Sequence, residues 1–117
     1  YKVAENDLFF AFLDIQPLKP GHTLVIPKTE INYIFDIDDA LLGQMMVFAK
    51  KVAHGIQAVV PCERIGVSVI GLEVPHAHIH LIPIESVADI NFSKAKMQLD
   101  KDEMVRLASQ ISASIRL

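Results

Sequence analysis

The sequence predicts an α+β domain: about five antiparallel strands in one sheet, with two helices set among them. Three observations carry that prediction. Short apolar and aromatic runs punctuated by Asn, Asp, Pro and Gly turns fill the first third of the 117 residues, as in a meander of strands. Two later stretches switch to apolar spacings of three and four. Between them, one segment alternates histidine with apolar residues at a strict period of two.

Tyr1 to Glu5 reads as a strand, and Asn6-Asp7 as the tight turn into a second strand, Leu8 to Leu13, closed by Asp14. Pro17, Pro20 and Gly21 break the chain before a third, His22 to Ile26, which Pro27 ends. Asp38 or Asp39 caps a helix bearing Leu41, Met45, Phe48, Val52 and Ile56 on one face, with Gly55 near its end. Pro61-Cys62-Glu63 is a loop. Arg64 to Ile70 alternates as a strand, Gly71 interrupts it, and Ala77 to Pro83 is the last strand. Asp100 and Glu103 form a capping-box variant opening a C-terminal helix with Met104, Leu107, Ala108, Ile111 and Ile115 on one face.

Composition bounds the functions. A 13.0 kDa chain suits one domain over residues 1–117. Hydrophobic residues at 51% supply a core, and charged residues at 21% are too few for a disordered tail. The net charge is -3 with neither half basic, which argues against a nucleic-acid partner bound by bulk charge. The longest purely apolar run, Leu8 to Leu13, is far short of the roughly 20 residues that span a bilayer as a helix, so no membrane partner is expected. A single cysteine, Cys62, allows no internal disulfide and fits a reducing compartment, so the cytoplasm is the expected location. The chain opens on a strand without an initiator Met, and the natural N-terminus is expected upstream.

The informative feature is His76-Ala77-His78-Ile79-His80-Leu81-Ile82. On a strand, His76, His78 and His80 share one face while Ala77, Ile79 and Leu81 enter the other. Three solvated surface histidines are the bland alternative, disfavoured because three of the five histidines fall in one pentad. Imidazole rows bind metals, but the Cα atoms of His76 and His80 would lie roughly 13 Å apart on a strand, nearly opposite about an ion rather than tetrahedral. Additional ligands would have to come from Glu73, Glu85, Asp14 or His22. The other chemistry is nucleophilic attack by a neutral imidazole whose neighbours contact an anionic centre.

The pentad with its two trailing apolar residues matches at all seven positions the signature of the histidine triad (HIT) superfamily, His-φ-His-φ-His-φ-φ with φ apolar, and the chain resembles its Hint-like nucleotide hydrolases and transferases. Phe12-Leu13-Asp14-Ile15-Gln16-Pro17 and Pro20-Gly21-His22-Thr23-Leu24-Val25-Ile26-Pro27-Lys28 are similar to other family segments, so the resemblance covers roughly residues 1 to 84. It implies that His78 attacks the α-phosphorus of a purine nucleotide conjugate, forming a nucleotidyl-histidine that water resolves, with no metal and no cofactor. It implies that His80 contacts phosphate oxygens, that His76 and His22 form a histidine network behind the site, that Asp14 binds the ribose hydroxyls, and that Phe12 and Ile15 line the base pocket. From the residues alone Asp14 could equally open an Asx turn, and His22 could be a strand-start histidine.

The resemblance also implies a homodimer joining two five-stranded sheets into a ten-stranded one, and the helix face at Leu41, Met45, Phe48 and Val52 is the expected contact. Departures bear on the substrate. Gly71-Leu72-Glu73-Val74 stands where the phosphoramidate hydrolases have Gly-Gln-Ser-Val, so Glu73 would bring negative charge to the nucleotide site near the leaving group. Glu30 stands where that branch has a further histidine, and Ser68 where an Asn is usual. A nucleotide-binding module with little turnover and a histidine-rich metal protein are the competing functions.

Overall fold

Asn6 makes the first turn, its Oδ1 accepting from the N–H groups of Leu8 and Phe9 at 2.9 and 2.8 Å. In the computed structural model, which describes residues 1–117, this turn joins β1 (Lys2–Glu5) to β2 (Phe9–Leu13). The chain continues through β3 (Thr23–Pro27), a 3-10 turn (Ile34–Asp36), α1 (Asp39–Val59), β4 (Arg64–Ser68), β5 (Ile79–Ile84), a second 3-10 turn (Val87–Asp89) and α2 (Lys101–Ser114). All strand pairs are antiparallel, in the order β1-β2-β3-β5-β4. The α+β class, the five strands and the two helices are as the patterning predicts.

Alternation along the strands separates two faces. Phe9, Ala11 and Leu13 of β2, Val25 of β3 and Ile79 and Leu81 of β5 are buried in one cluster with Met45, Phe48, Val52 and Ile56 of α1 and Met104, Leu107 and Ile111 of α2. Both helices therefore cover the same face. Asp38 caps α1, its Oδ1 accepting from Leu41 N–H at 2.8 Å, and Asp100 caps α2 through Glu103 N–H at 2.8 Å. The helices approach closely at Gly55, where a Cβ would overlap the Ile115 side chain. The reciprocal capping box of the chain lies instead at Ser86 and Asp89.

Two expectations are corrected. Met45 and Val52 are wholly buried and Phe48 nearly so, which means the apolar face of α1 is used inside the chain and is no unpartnered surface for a second copy. The last strand begins at Ile79 rather than Ala77. Its pairing with β3 starts at Val25↔Ile79, and Pro27, two residues further along β3, has no N–H to extend the ladder. His76 and His78 precede the strand, where Ala77 N–H instead donates to Ile31 O at 2.7 Å.

The opposite face carries Phe10, Phe12, Leu24 and His80; Leu24 stands directly across from both Phe12 and His80. Gly21 controls the entry to β3. It sits in the left-handed region at φ +93°, and a Cβ there would meet Val60 Cγ2 at 2.9 Å. Gly21→Ala is expected to destabilise the fold by about 2–3 kcal/mol, combining left-handed strain with the clash, measured by urea unfolding. A change under about 0.5 kcal/mol would contradict this account of the turn.

Candidate active site

The Gly21 turn, closed by His22 N–H to Lys19 O at 3.0 Å, swings the His22 side chain inward, where it is 1% exposed. A buried imidazole needs partners at both nitrogens. Leu18 N–H donates to Nδ1 at 3.1 Å, and Nε2 lies 2.9 Å from His80 Nδ1. The backbone N–H can only donate, so His22 Nδ1 is the acceptor and its proton is on Nε2. Nε2–H then donates to His80 Nδ1, which leaves the His80 proton on Nε2. One backbone amide thus sets the tautomers of two rings.

Burial holds both rings neutral, pushing the pKa values of His22 and His80 down to about 4; for His80 the neighbouring His22 and His78 add to the effect. Asp14 Oδ2 is 3.7 Å from His22 Nε2, too long for a hydrogen bond, and with His22 neutral the two do not form an ion pair. Asp14 Oδ1 accepts from Gln16 N–H at 2.8 Å, so the Asx turn left open by the sequence is formed, and Oδ2 remains for another donor.

His78 lies beside His80 with ring centroids 4.8 Å apart. Its Nδ1 is 2.7 Å from the carbonyl of His76, an obligate acceptor, so Nδ1 carries the proton and Nε2 a lone pair. His76 departs from the expected row. Its Nε2 donates to Pro27 O at 2.8 Å, taking a carbonyl at the end of the β3–β5 ladder, and the histidine network consists of His22 and His80 without the His76 ring. His76 instead orients His78 through its own backbone carbonyl.

Asp14, His78 and His80 face a cavity of about 340 Å³ whose lining also includes Leu24 and Glu73, while His22 and His76 stand behind it. Glu73 enters on the loop whose turn is Gly71, at φ +77°. Phe12 and Ile15 are not in the lining: Phe12 stands one strand beyond Leu24 on the same face, and Ile15 is 69% exposed. Phe92 and Lys96 are in it, neither of them foreseen, because an isolated aromatic in a polar stretch carries no periodic signal. The Phe92 ring packs edge-on against His80 with centroids 4.7 Å apart.

Asp14, His22 and His80 also bring potential metal-ligand atoms within 4.8 Å of one another. The facing nitrogens of the two histidines are already joined by a hydrogen bond, which a cation would have to break. Cys62 lies apart from the site, its thiol pKa pushed up by burial and then by Glu85 and Glu63, the opposite of an activated nucleophile.

Residues 1–87 match the model of the HIT domain. An uncharacterized HIT-like protein of Borreliella burgdorferi is 34% identical over 98% of this chain and 88% of its own. The adenosine 5'-monophosphoramidase of Saccharomyces cerevisiae is 37% identical over 71% of this chain, which spans only 53% of the yeast protein. More distant matches are the asymmetrical bis(5'-nucleosyl)-tetraphosphatase of Schizosaccharomyces pombe, 28% identical over 80% of this chain and 54% of that one, and the AP-4-A phosphorylase of Mycobacterium tuberculosis, 29% over 92% and 61%. Among solved structures, a HIT-like protein of Bartonella henselae superposes with a TM-score of 0.83 at 28% identity, covering 97% of this chain and 85% of that one.

The hydrogen-bond chain makes a direct prediction. At neutral pH, long-range proton–nitrogen NMR spectra should show His22 and His80 protonated at Nε2 and His78 at Nδ1. A His80 ring protonated at Nδ1 would contradict the hydrogen-bond direction that Leu18 N–H imposes.

Proposed function

The chain belongs to the HIT domain family, and on that premise we propose that it is a nucleotide hydrolase or nucleotidyl transferase acting on purine nucleoside monophosphate conjugates through His78. The observation that carries this reading is the pair of ring nitrogens offered to the cavity: a lone pair on His78 Nε2 beside a donor on His80 Nε2. A nucleophile and an electrophilic contact of this kind are what attack on a phosphorus requires.

In the first step the His78 Nε2 lone pair forms a bond to the α-phosphorus, and the bond to the leaving group breaks, its electron pair departing with that group. The leaving group takes up a proton from solvent, so that a phosphoramidate nitrogen leaves as a neutral amine. His80 Nε2–H donates to a non-bridging oxygen. His78 becomes a cation in the nucleotidyl intermediate, and the His76 carbonyl, already accepting from Nδ1–H, strengthens its hold as that charge develops. Water then attacks the same phosphorus and gives up a proton to solvent, releasing the nucleoside monophosphate and returning the lone pair to Nε2. Asp14 Oδ2 accepts from the ribose, and the base extends over Leu24 toward Phe12 and Ile15. Glu73 sets a negative charge at the cavity wall, favouring an amine or other uncharged leaving group over a further phosphate. His76 and His22 act by positioning: His76 orients His78, and His22 fixes the tautomer of His80.

The reading includes a second copy of the chain. β4 is an edge of the sheet, and Val67 is 52% exposed on it, with Val69 and Ile70 following at 41% and 47%. An apolar edge left open is a template for strand pairing, and two copies joined there give ten strands.

With adenosine 5'-phosphoramidate as substrate, His78→Ala is expected to lower AMP release by about a thousandfold or more while AMP binding stays within a few-fold; Asp14→Ala should instead raise KM first. Near wild-type hydrolysis by His78→Ala would overturn the assignment. Sedimentation should give twice the 13.0 kDa chain mass, and a monomer at micromolar concentration would remove the second copy.

A further inference from the structure

The segment after β5 crosses the open face of the sheet and is tied down along its length. A Cβ at Gly66 would overlap Ile90, so the glycine makes room for that side chain against β4. Phe92 packs against His80, and Met97 N–H donates to Pro17 O at 2.9 Å. Between these anchors Lys96 holds its ammonium 5.8 Å from the centre of the Phe92 ring and joins the cavity lining. Ile90, Phe92, Lys96 and Met97 all lie beyond residue 87, where the match to the domain family ends.

Charge gives Lys96 its significance. The cavity lining includes two carboxylates, Asp14 and Glu73, and one cation, Lys96. Like Lys50, Lys51, Lys94 and Lys101, Lys96 has no carboxylate within 4.0 Å of Nζ, and among these unpaired lysines it alone lines the cavity. A site with two carboxylates, in which the buried His80 donates without carrying charge, is poorly suited to an anionic phosphate, because each carboxylate repels it and a neutral N–H donor compensates only in part. We propose that Lys96 is the cationic contact for the substrate phosphate, held over the site by the Phe92 side chain. This rests on the nucleotide reading above and adds to it a specificity residue supplied from outside the matched domain.

The test compares binding of AMP and of adenosine to the wild-type protein, Lys96→Met, Lys96→Arg and Lys94→Met by calorimetry. Lys96→Met is expected to weaken AMP by about tenfold, the scale of a partly exposed charge-assisted contact, and to leave adenosine unchanged. Lys96→Arg should restore AMP binding to within a few-fold, and Lys94→Met, which removes a neighbouring charge outside the cavity, should bind AMP as the wild type does. Equal loss of AMP and adenosine in Lys96→Met would mark a structural role, and equal weakening by Lys94→Met would mark bulk charge; either overturns the proposal. So does AMP binding by Lys96→Met within twofold of a wild-type protein that prefers AMP to adenosine. A wild-type protein that binds neither ligand overturns the nucleotide reading itself, and this assignment with it.

Discussion

The hydrogen bond between His22 Nε2 and His80 Nδ1, 2.9 Å long and buried beneath the open face of the sheet, is the constraint on which the site depends. It has a direction only because Leu18 N–H occupies the other nitrogen of His22. Reversing the bond would leave that amide facing a second donor, and an unsatisfied buried amide costs on the order of 1–3 kcal/mol. The backbone therefore selects which nitrogen of His80 faces the cavity with a proton. The same logic runs through His76, whose carbonyl fixes the proton of His78 on the inner nitrogen and exposes the lone pair. Two main-chain groups, one donor and one acceptor, give adjacent imidazoles opposite roles.

Neutrality is the second half of that design. Burial depresses the pKa values of His22 and His80 to about 4, well below the ordinary histidine value. In the unfolded chain these rings would take up protons below about pH 6.5, so their burial contributes stability that is present above that pH and is lost as pH falls toward 4. What the fold gains is a histidine that can donate without carrying charge. What these rings lack is a positive charge, and the only cation among the cavity residues is Lys96, on a segment outside the matched domain.

Much of this was legible in the residues. The Asn6 turn, the Asp38 and Asp100 caps and the helix faces follow from local rules of turn and cap chemistry, which act over three or four residues. The histidine cluster was legible too, but its geometry was not. A period of two continues through His76, yet alternation states only which way side chains point on a strand, not where pairing begins, and the ladder with β3 starts at Ile79. The period of the α1 stripe does not name its partner; α2 and the sheet supply that partner within the chain, and no second copy is needed to cover it. Phe92 and Lys96 are not legible in the sequence for the corresponding reason, since a loop that folds back over a site leaves no pattern there.

The central claim is that His78 Nε2 bonds to the substrate phosphorus. Rapid quench of the protein with a nucleoside phosphoramidate, followed by mass mapping under conditions that preserve acid-labile phosphoramidates, tests it most directly. The account predicts a transient nucleotidyl adduct on the peptide containing His78, formed and consumed at rates that match turnover. A label on His22 or Cys62 would contradict it, as would steady turnover with no adduct under conditions where the leaving group is made fast and hydrolysis of the intermediate is rate-limiting.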